Sequence, residues 1–298
     1  MKTKLYFILS MIIFGTIGLF VKQINFASSQ IALFRGLVGS VLLLLLFLYM
    51  EKKKNTNKMQ QAMNKKNAIF LVLSSIALGA NWIFLFESFK HTTVSNATLS
   101  YYFAPVLVAL LSPVILKEKL SSKKIICIGF AMLGMIFIVG SNKTSQPGYH
   151  HLLGIADGLI AASFYATLML LNKFIKNMDG LKTTLIQLSM ATILLIPYVV
   201  ITSPIKSEQF TKYSIFLILI VGFLHTGIAF SLFFTGMKGL KGQSIAILSY
   251  IDPITSLLLS FFILQERMTL LQVTGAIMLL GATLLSESKV KLNKSISE

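Results

Sequence analysis

Four ionisable side chains, Arg35, Glu87, Asp157 and Asp252, stand inside long apolar runs of this sequence. An ionised group at the centre of a bilayer costs about 2.5–3.5 kcal/mol even on the milder insertion scale, so it faces a partner or an aqueous cavity. At about 1.5 Å per helical residue, Asp252 falls close to the middle of its run, and the other three fall in the outer thirds of theirs. Two chemistries are open to Asp252, immediately before Pro253. It binds the ammonium of a solute or a proton, or it is a structural acid hydrogen-bonded to backbone that the proline frees. For Arg35 the expectation is a counter-ion that holds Glu87 or Asp157, the three forming an outer charge cluster; the alternative is an anion clamp at the outer mouth.

Aromatic and amide side chains supply the rest. Asn81, Trp82, Tyr101, Tyr102, Tyr165 and Tyr250 fall in or near the inner halves of apolar runs. Tyrosine and tryptophan offer an apolar wall with one hydrogen bond, which suits an amphipathic organic solute, and a cation can sit over a ring face. His225 is the histidine inside a run and titrates near neutral pH when unperturbed. Covalent chemistry has no equipment here: four scattered histidines and the single Cys127 make neither a nucleophile with its base nor a metal site. There is no His-Glu-x-x-His, no Gly-x-Ser-x-Gly and no Gly-x-x-x-x-Gly-Lys phosphate loop. No cofactor and no metal are expected, and an intramembrane enzyme is disfavoured. A membrane sensor is disfavoured too, because no run is left over for a soluble output domain.

These side chains need apolar elements to carry them. Of 298 residues, 55% are hydrophobic and 12% charged, and the mean hydropathy is +0.79. A soluble domain carries about 25% charged residues, so a soluble enzyme is excluded. Apolar blocks between charge clusters predict ten helices, at 4–21, 29–50, 68–89, 94–116, 122–140, 152–172, 183–203, 213–237, 243–264 and 269–286. Each is near the length of about 20 residues that spans a hydrocarbon core. The first block follows Met-Lys-Thr-Lys without a small-x-small cleavage site, so it reads as a span rather than a leader. Gly15 with Gly18, Gly36 with Gly39 and Gly154 with Gly158 are small-residue pairs that let helices approach.

The net charge of +17 resolves into topology. With the N-terminus inside, 20 of the 27 basic residues fall on cytoplasmic segments, six on outer ones, and Arg35 within a span. That is the positive-inside bias. It predicts a multi-pass protein of the cell membrane with both termini cytoplasmic, in contact with lipid headgroups and not with nucleic acid. Lysine exceeds arginine 25 to two, which suits an A+T-rich bacterial genome.

Residues 79–120 lie over residues 227–268 without a gap, at an offset of 148. Gly79 matches Gly227, Lys90 matches Lys238, Tyr102 matches Tyr250, Pro105 matches Pro253 and Glu118 matches Glu266. Five helices per half is an odd number, so the second half is inserted upside down. Such inverted repeats place a solute site near the midplane between the halves. Pro105 and Pro253 then set paired helix kinks on either side of it. Glu118-Lys119 and Glu266-Arg267 read as caps of helix ends in the interfaces.

The segments "ESFKHTTVSNATLSYYFAPVLVALLSPVILKEKLS" (87–121) and "FFTGMKGLKGQSIAILSYIDPITSLLLSFFILQERMT" (233–269) resemble the two repeats of EamA-type transporters in the drug/metabolite transporter superfamily. Phe14-Gly15, "ALFRGLVGS" (32–40) and "ASFYATLMLLNKF" (162–174) share that resemblance. It implies an all-α membrane fold of ten helices, with one repeat over 1–140, a second over 152–286 and a tail over 287–298. It further implies a cavity lined by helices 1, 3, 4, 6, 8 and 9, with helices 5 and 10 peripheral. The expected function is secondary export of small organic metabolites, such as amino acids, amines or related compounds, by alternating access, with proton coupling open. Import of a nutrient or of a nucleotide-linked metabolite is the alternative. At the second kink position the halves differ, with Ala104 facing Asp252 across the repeat.

Overall fold

The computed structural model describes residues 2–54, 64–117, 119–140, 149–237, 240 and 242–287. Glu118 and, of the tail over 287–298, residues 288–298 therefore lie outside the described residues. The described residues fold into ten helical spans. They are α1 (Lys2–Gly15 and Ile17–Gln23), α2 (Ser28–Lys54), α3 (Lys65–His91), α4 (Val94–Tyr101 and Ala104–Ile115) and α5 (Ser122–Gly140). There follow α6 (His151–Asn172), α7 (Gly180–Thr202), α8 (Lys212–Met237), α9 (Gly242–Ser249 and Ile251–Phe262) and α10 (Leu270–Glu287). The architecture is the all-α membrane fold expected, with helix ends within a few residues of the apolar runs. Helix starts follow local chemistry: Asn64, Thr93, Asp179 and Thr211 each accept a backbone N–H of the first turn. Large apolar side chains such as Val114, Ile201 and Leu270 are about fully exposed, at 79%, 80% and 87%. That is affordable only where lipid covers them.

We call the side on which the chain starts the near face and the opposite side the far face. Interior packing pairs α1 with α8, α3 with α6, α2 with both α7 and the middle of α8, and α3 with α7. The far-face half of α9 packs on α1, while both segments of α4 pack on α6. Advancing each member by five helices turns these pairs into one another. α5 and α10 pack mainly on each other, within a second apolar cluster separate from the main one. At their crossing a Cβ on Gly134 would stand 2.6 Å from the Gly275 carbonyl oxygen, so only a residue without one fits.

Among the described residues four spans are not regular, α1 (interrupted at Thr16), α4, α8 and α9, and those four frame the site. α4 breaks at Tyr102–Phe103, where Phe103 N–H bonds to the Ser100 carbonyl in a tighter three-residue step. α9 breaks at Tyr250, the residue 148 positions on. Pro105 and Pro253 sit in the first turn of the segment that follows, where the missing N–H has no partner to lose. The discontinuity thus precedes each proline. α8 widens into a π-helical stretch over Val221–Ile228, which carries His225 and Thr226. The matching segments after the breaks end alike: Lys117 and Gln265, again 148 apart, both adopt left-handed φ, 56° and 55°.

Candidate functional site

The two helix breaks meet. Tyr102, at the break of α4, donates its hydroxyl to Asp252 Oδ2 at 2.6 Å, in the first turn after the break of α9. The neighbouring rings extend this cluster: Tyr101 lies edge-on to Tyr102 with centroids 5.9 Å apart, and tilted against Tyr165 of α6 at 5.3 Å. Asp252 and these three tyrosines are half-buried, whereas Tyr250 is buried within its break. Asn81 donates to the Ala161 carbonyl of α6 at 2.8 Å. Trp82, the next residue, is buried in the main apolar cluster.

Helix α1 closes the opposite side. It is interrupted at Thr16, and a Cβ on Gly15 would come 2.6 Å from the Asp252 carbonyl oxygen. Glycine there lets α1 lie against the break of α9. The Thr16 hydroxyl gives its hydrogen to the Ile13 carbonyl at 2.7 Å, so His225 Nε2, 2.8 Å away, is the donor in their bond. His225 is fully enclosed and edge-on to Phe20. It holds α1 to α8.

Arg35 overturns one expectation. Its guanidinium lies over the Trp82 ring at 4.3 Å and near Phe86 at 5.8 Å, and its Nε donates to Thr226 Oγ1 at 2.9 Å. Glu87 and Asp157 do not hold it. Both carboxylates turn to His91, whose Nδ1 stands 2.8 Å from Asp157 and whose Nε2 stands 3.9 Å from Glu87. One turn of α3 separates Glu87 from His91, while Arg35 reaches across to α8. The three residues are therefore no cluster. Arg35 belongs to the central site, and Glu87 with Asp157 belongs to a separate group at the far-face ends of α3 and α6.

Glu266 corrects a second expectation. It does cap a helix end, the first turn of α4 at Val94, but from the interior and not from the interface, because only 6% of it is exposed. The left-handed turn at Gln265 sends it inward, where it pairs with Lys22 of α1 and accepts from the Ser260 hydroxyl and from the Val94 N–H at 2.8 Å. The Lys22 ammonium also lies 4.5 Å over the Tyr149 ring and bonds to the Thr92 carbonyl. Above the breaks, α4 and α9 are stitched by Ser95–Ser260 at 2.9 Å and Thr98–Ser256 at 2.8 Å. Other far-face ties are Lys90 to the Phe26 carbonyl and Gln30 to the Ser203 carbonyl. These ties join α1, α2, α3, α4, α9 and the end of α7 at the far face. Lys22, Tyr149, Thr16 and Thr226 did not stand out in the sequence; the repeat offset that marked Glu266 was the one available signal.

A helical membrane protein whose spans break at a shared polar pair near mid-depth has the build of a membrane transporter. The comparisons agree. The profile of the EamA-like transporter family matches residues 1–140 and again 152–287, and the chain belongs to that family. It is 30% identical over 279 residues to the "Uncharacterized transporter YxxF" of Bacillus subtilis, covering 94% of this chain and 87% of that one. An "Uncharacterized transporter" of Archaeoglobus fulgidus is 25% identical, covering 94% of each chain. A solved structure superposes over 95% of both chains with a TM-score of 0.63 at 15% identity, which speaks for the fold. The chain is a multi-pass membrane transporter.

Proposed function

We propose that the protein is a secondary transporter that exports small organic metabolites, amino acids, amines or related compounds, across the cytoplasmic membrane by alternating access. Both termini face the cytoplasm in this reading, in line with the lysine bias, so the far face, where these ties lie, is the outer one. The two halves act as inverted repeats that rock about a site at their breaks. The observation that carries the reading is the Tyr102–Asp252 bond, because it joins the two interrupted helices at their corresponding breaks. An acid at this depth is costly to keep unless it meets a solute, a proton or an aqueous cavity. Tyr101, Tyr102 and Tyr165 supply apolar wall and hydrogen bonds around it. The far-face ties and the polar stitching above the breaks support a state whose site is closed to the outside.

The test begins with metabolites inside cells and in the medium, with and without the protein, followed by counterflow of the enriched compounds in liposomes. Asp252→Asn is expected to abolish or alter that flow in protein that remains folded. Unchanged flow removes Asp252 from the mechanism. Flow indifferent to a pH gradient removes proton coupling through Asp252 or His225.

A further inference from the structure

Arg35 is 5% exposed, in an apolar helix, and no carboxylate among the described residues pairs with it. A guanidinium has five N–H donors, and here only the Nε hydrogen is taken, by Thr226. Both ring contacts cover its apolar faces and leave its edge free. The two Nη nitrogens have no hydrogen-bond partner among the described residues, yet they are not sealed in. The enclosed side-chain atoms without a partner are Ser28 Oγ, Ser40 Oγ and His225 Nδ1. The Nη edge therefore keeps the small accessible surface of this residue. A charge taken this far out of water without an opposing charge is expensive, and the cost falls when an anion arrives.

The contacts also say which space it is. From Arg35 one path runs through Thr226 and His225 to Thr16, then Gly15, which touches the Asp252 backbone. The other runs through Trp82 to Tyr101, which packs against the apolar cluster that holds Trp82, then to Tyr102, which bonds the Asp252 carboxylate. The two paths close a ring with Arg35 and Asp252 as opposite poles. The planar fork of arginine matches a carboxylate in two parallel hydrogen bonds, which a lysine cannot reproduce.

We propose that Arg35, set by Thr226 and Trp82, binds the carboxylate of the transported solute, whose cationic or hydrogen-bonding end meets Asp252 and Tyr102. Among the solutes named above, those that bear a carboxylate are then preferred over matched compounds without one. This rests on the transporter reading above and adds the residue that makes the selection.

Two properties of the chain make the test direct: Arg35 and Arg267 are its arginines, and Trp82 is its one tryptophan. Purified Arg267→Lys protein is treated with phenylglyoxal, an arginine reagent, and the Arg35 adduct is read by mass spectrometry. The treatment is repeated with a panel of L-amino acids, each beside its carboxamide. In parallel, Trp82 emission is titrated with the same compounds. The expected result is an adduct on Arg35, slowed by some of the acids and by none of the matched amides, with a saturable emission change for the same acids. Arg35→Lys weakens that titration roughly tenfold, and Arg35→Gln removes it. No adduct, equal protection by acid and amide, or no protection by any acid overturns the proposal. Vesicles separate the two readings. Amides carried as well as acids overturn the anion pole alone, while acids that protect Arg35 but never cross the membrane overturn transport alone.

Discussion

Neutralising Glu266 should unlatch the far face. Glu266→Gln keeps the shape and the acceptor oxygen but removes the charge that Lys22 faces. Breaking a buried ion pair from one side costs about 3–5 kcal/mol. The lower end applies here, because Lys22 is 17% exposed and keeps the Thr92 carbonyl and the Tyr149 ring. The opened state regains water around Lys22, so most of this falls on the sealed state. A shift of about 3 kcal/mol moves a two-state equilibrium roughly a hundredfold. Thr98, 5% exposed and bonded across to Ser256, lies just above the Tyr102 break and reports opening. In a Cys127→Ala background, Thr98→Cys should react with a bulky maleimide about a hundred times faster once Glu266→Gln is added. Lys22→Met with Glu266→Gln should return most of the slow labelling, since removing both partners leaves no orphaned charge. An unchanged rate in Glu266→Gln, or a double variant as open as the single one, would refute the reasoning.

Three further outcomes follow from contacts on the page. Tyr102→Phe removes the hydroxyl that Asp252 accepts, and should weaken solute counterflow by roughly tenfold, at about 1.5 kcal/mol for a charge-assisted bond, without changing elution on size exclusion. Gly134→Val drives a branched side chain into the Gly275 carbonyl and should lower the midpoint of thermal aggregation by several degrees, at an overpacking cost of about 1–3 kcal/mol; an unaltered midpoint would deny the close crossing of α5 and α10. Epitope tags at residues 60 and 145 should be accessible from opposite sides of the membrane, and finding both on one side would break the orientation.

Much of the fold was legible in the residues alone, and the reason is depth. An apolar run of about 20 residues can only cross a bilayer, and position along it sets how deep a side chain lies. So the ten spans, the mid-depth placing of Asp252 and the paired interruptions near Pro105 and Pro253 were all readable in one dimension. The repeat offset of 148 even marked equivalents that the fold treats alike, Tyr102 with Tyr250 and Lys117 with Gln265. Azimuth was not readable. All faces of these helices are apolar enough to meet lipid or protein, so periodicity does not reveal which neighbour a polar side chain meets. That was decided by close approaches between residues distant in sequence. Gly39 admits Thr226, which takes Arg35 away from Glu87 and Asp157; Gly15 admits the Asp252 backbone; and the left-handed turn at Gln265 swings Glu266 from the interface into the Lys22 pair. The linear chain determined how deep each charge sits, and only the packed helices decided which charge it meets, because depth follows from counting residues while partnership follows from which surfaces are small enough to touch.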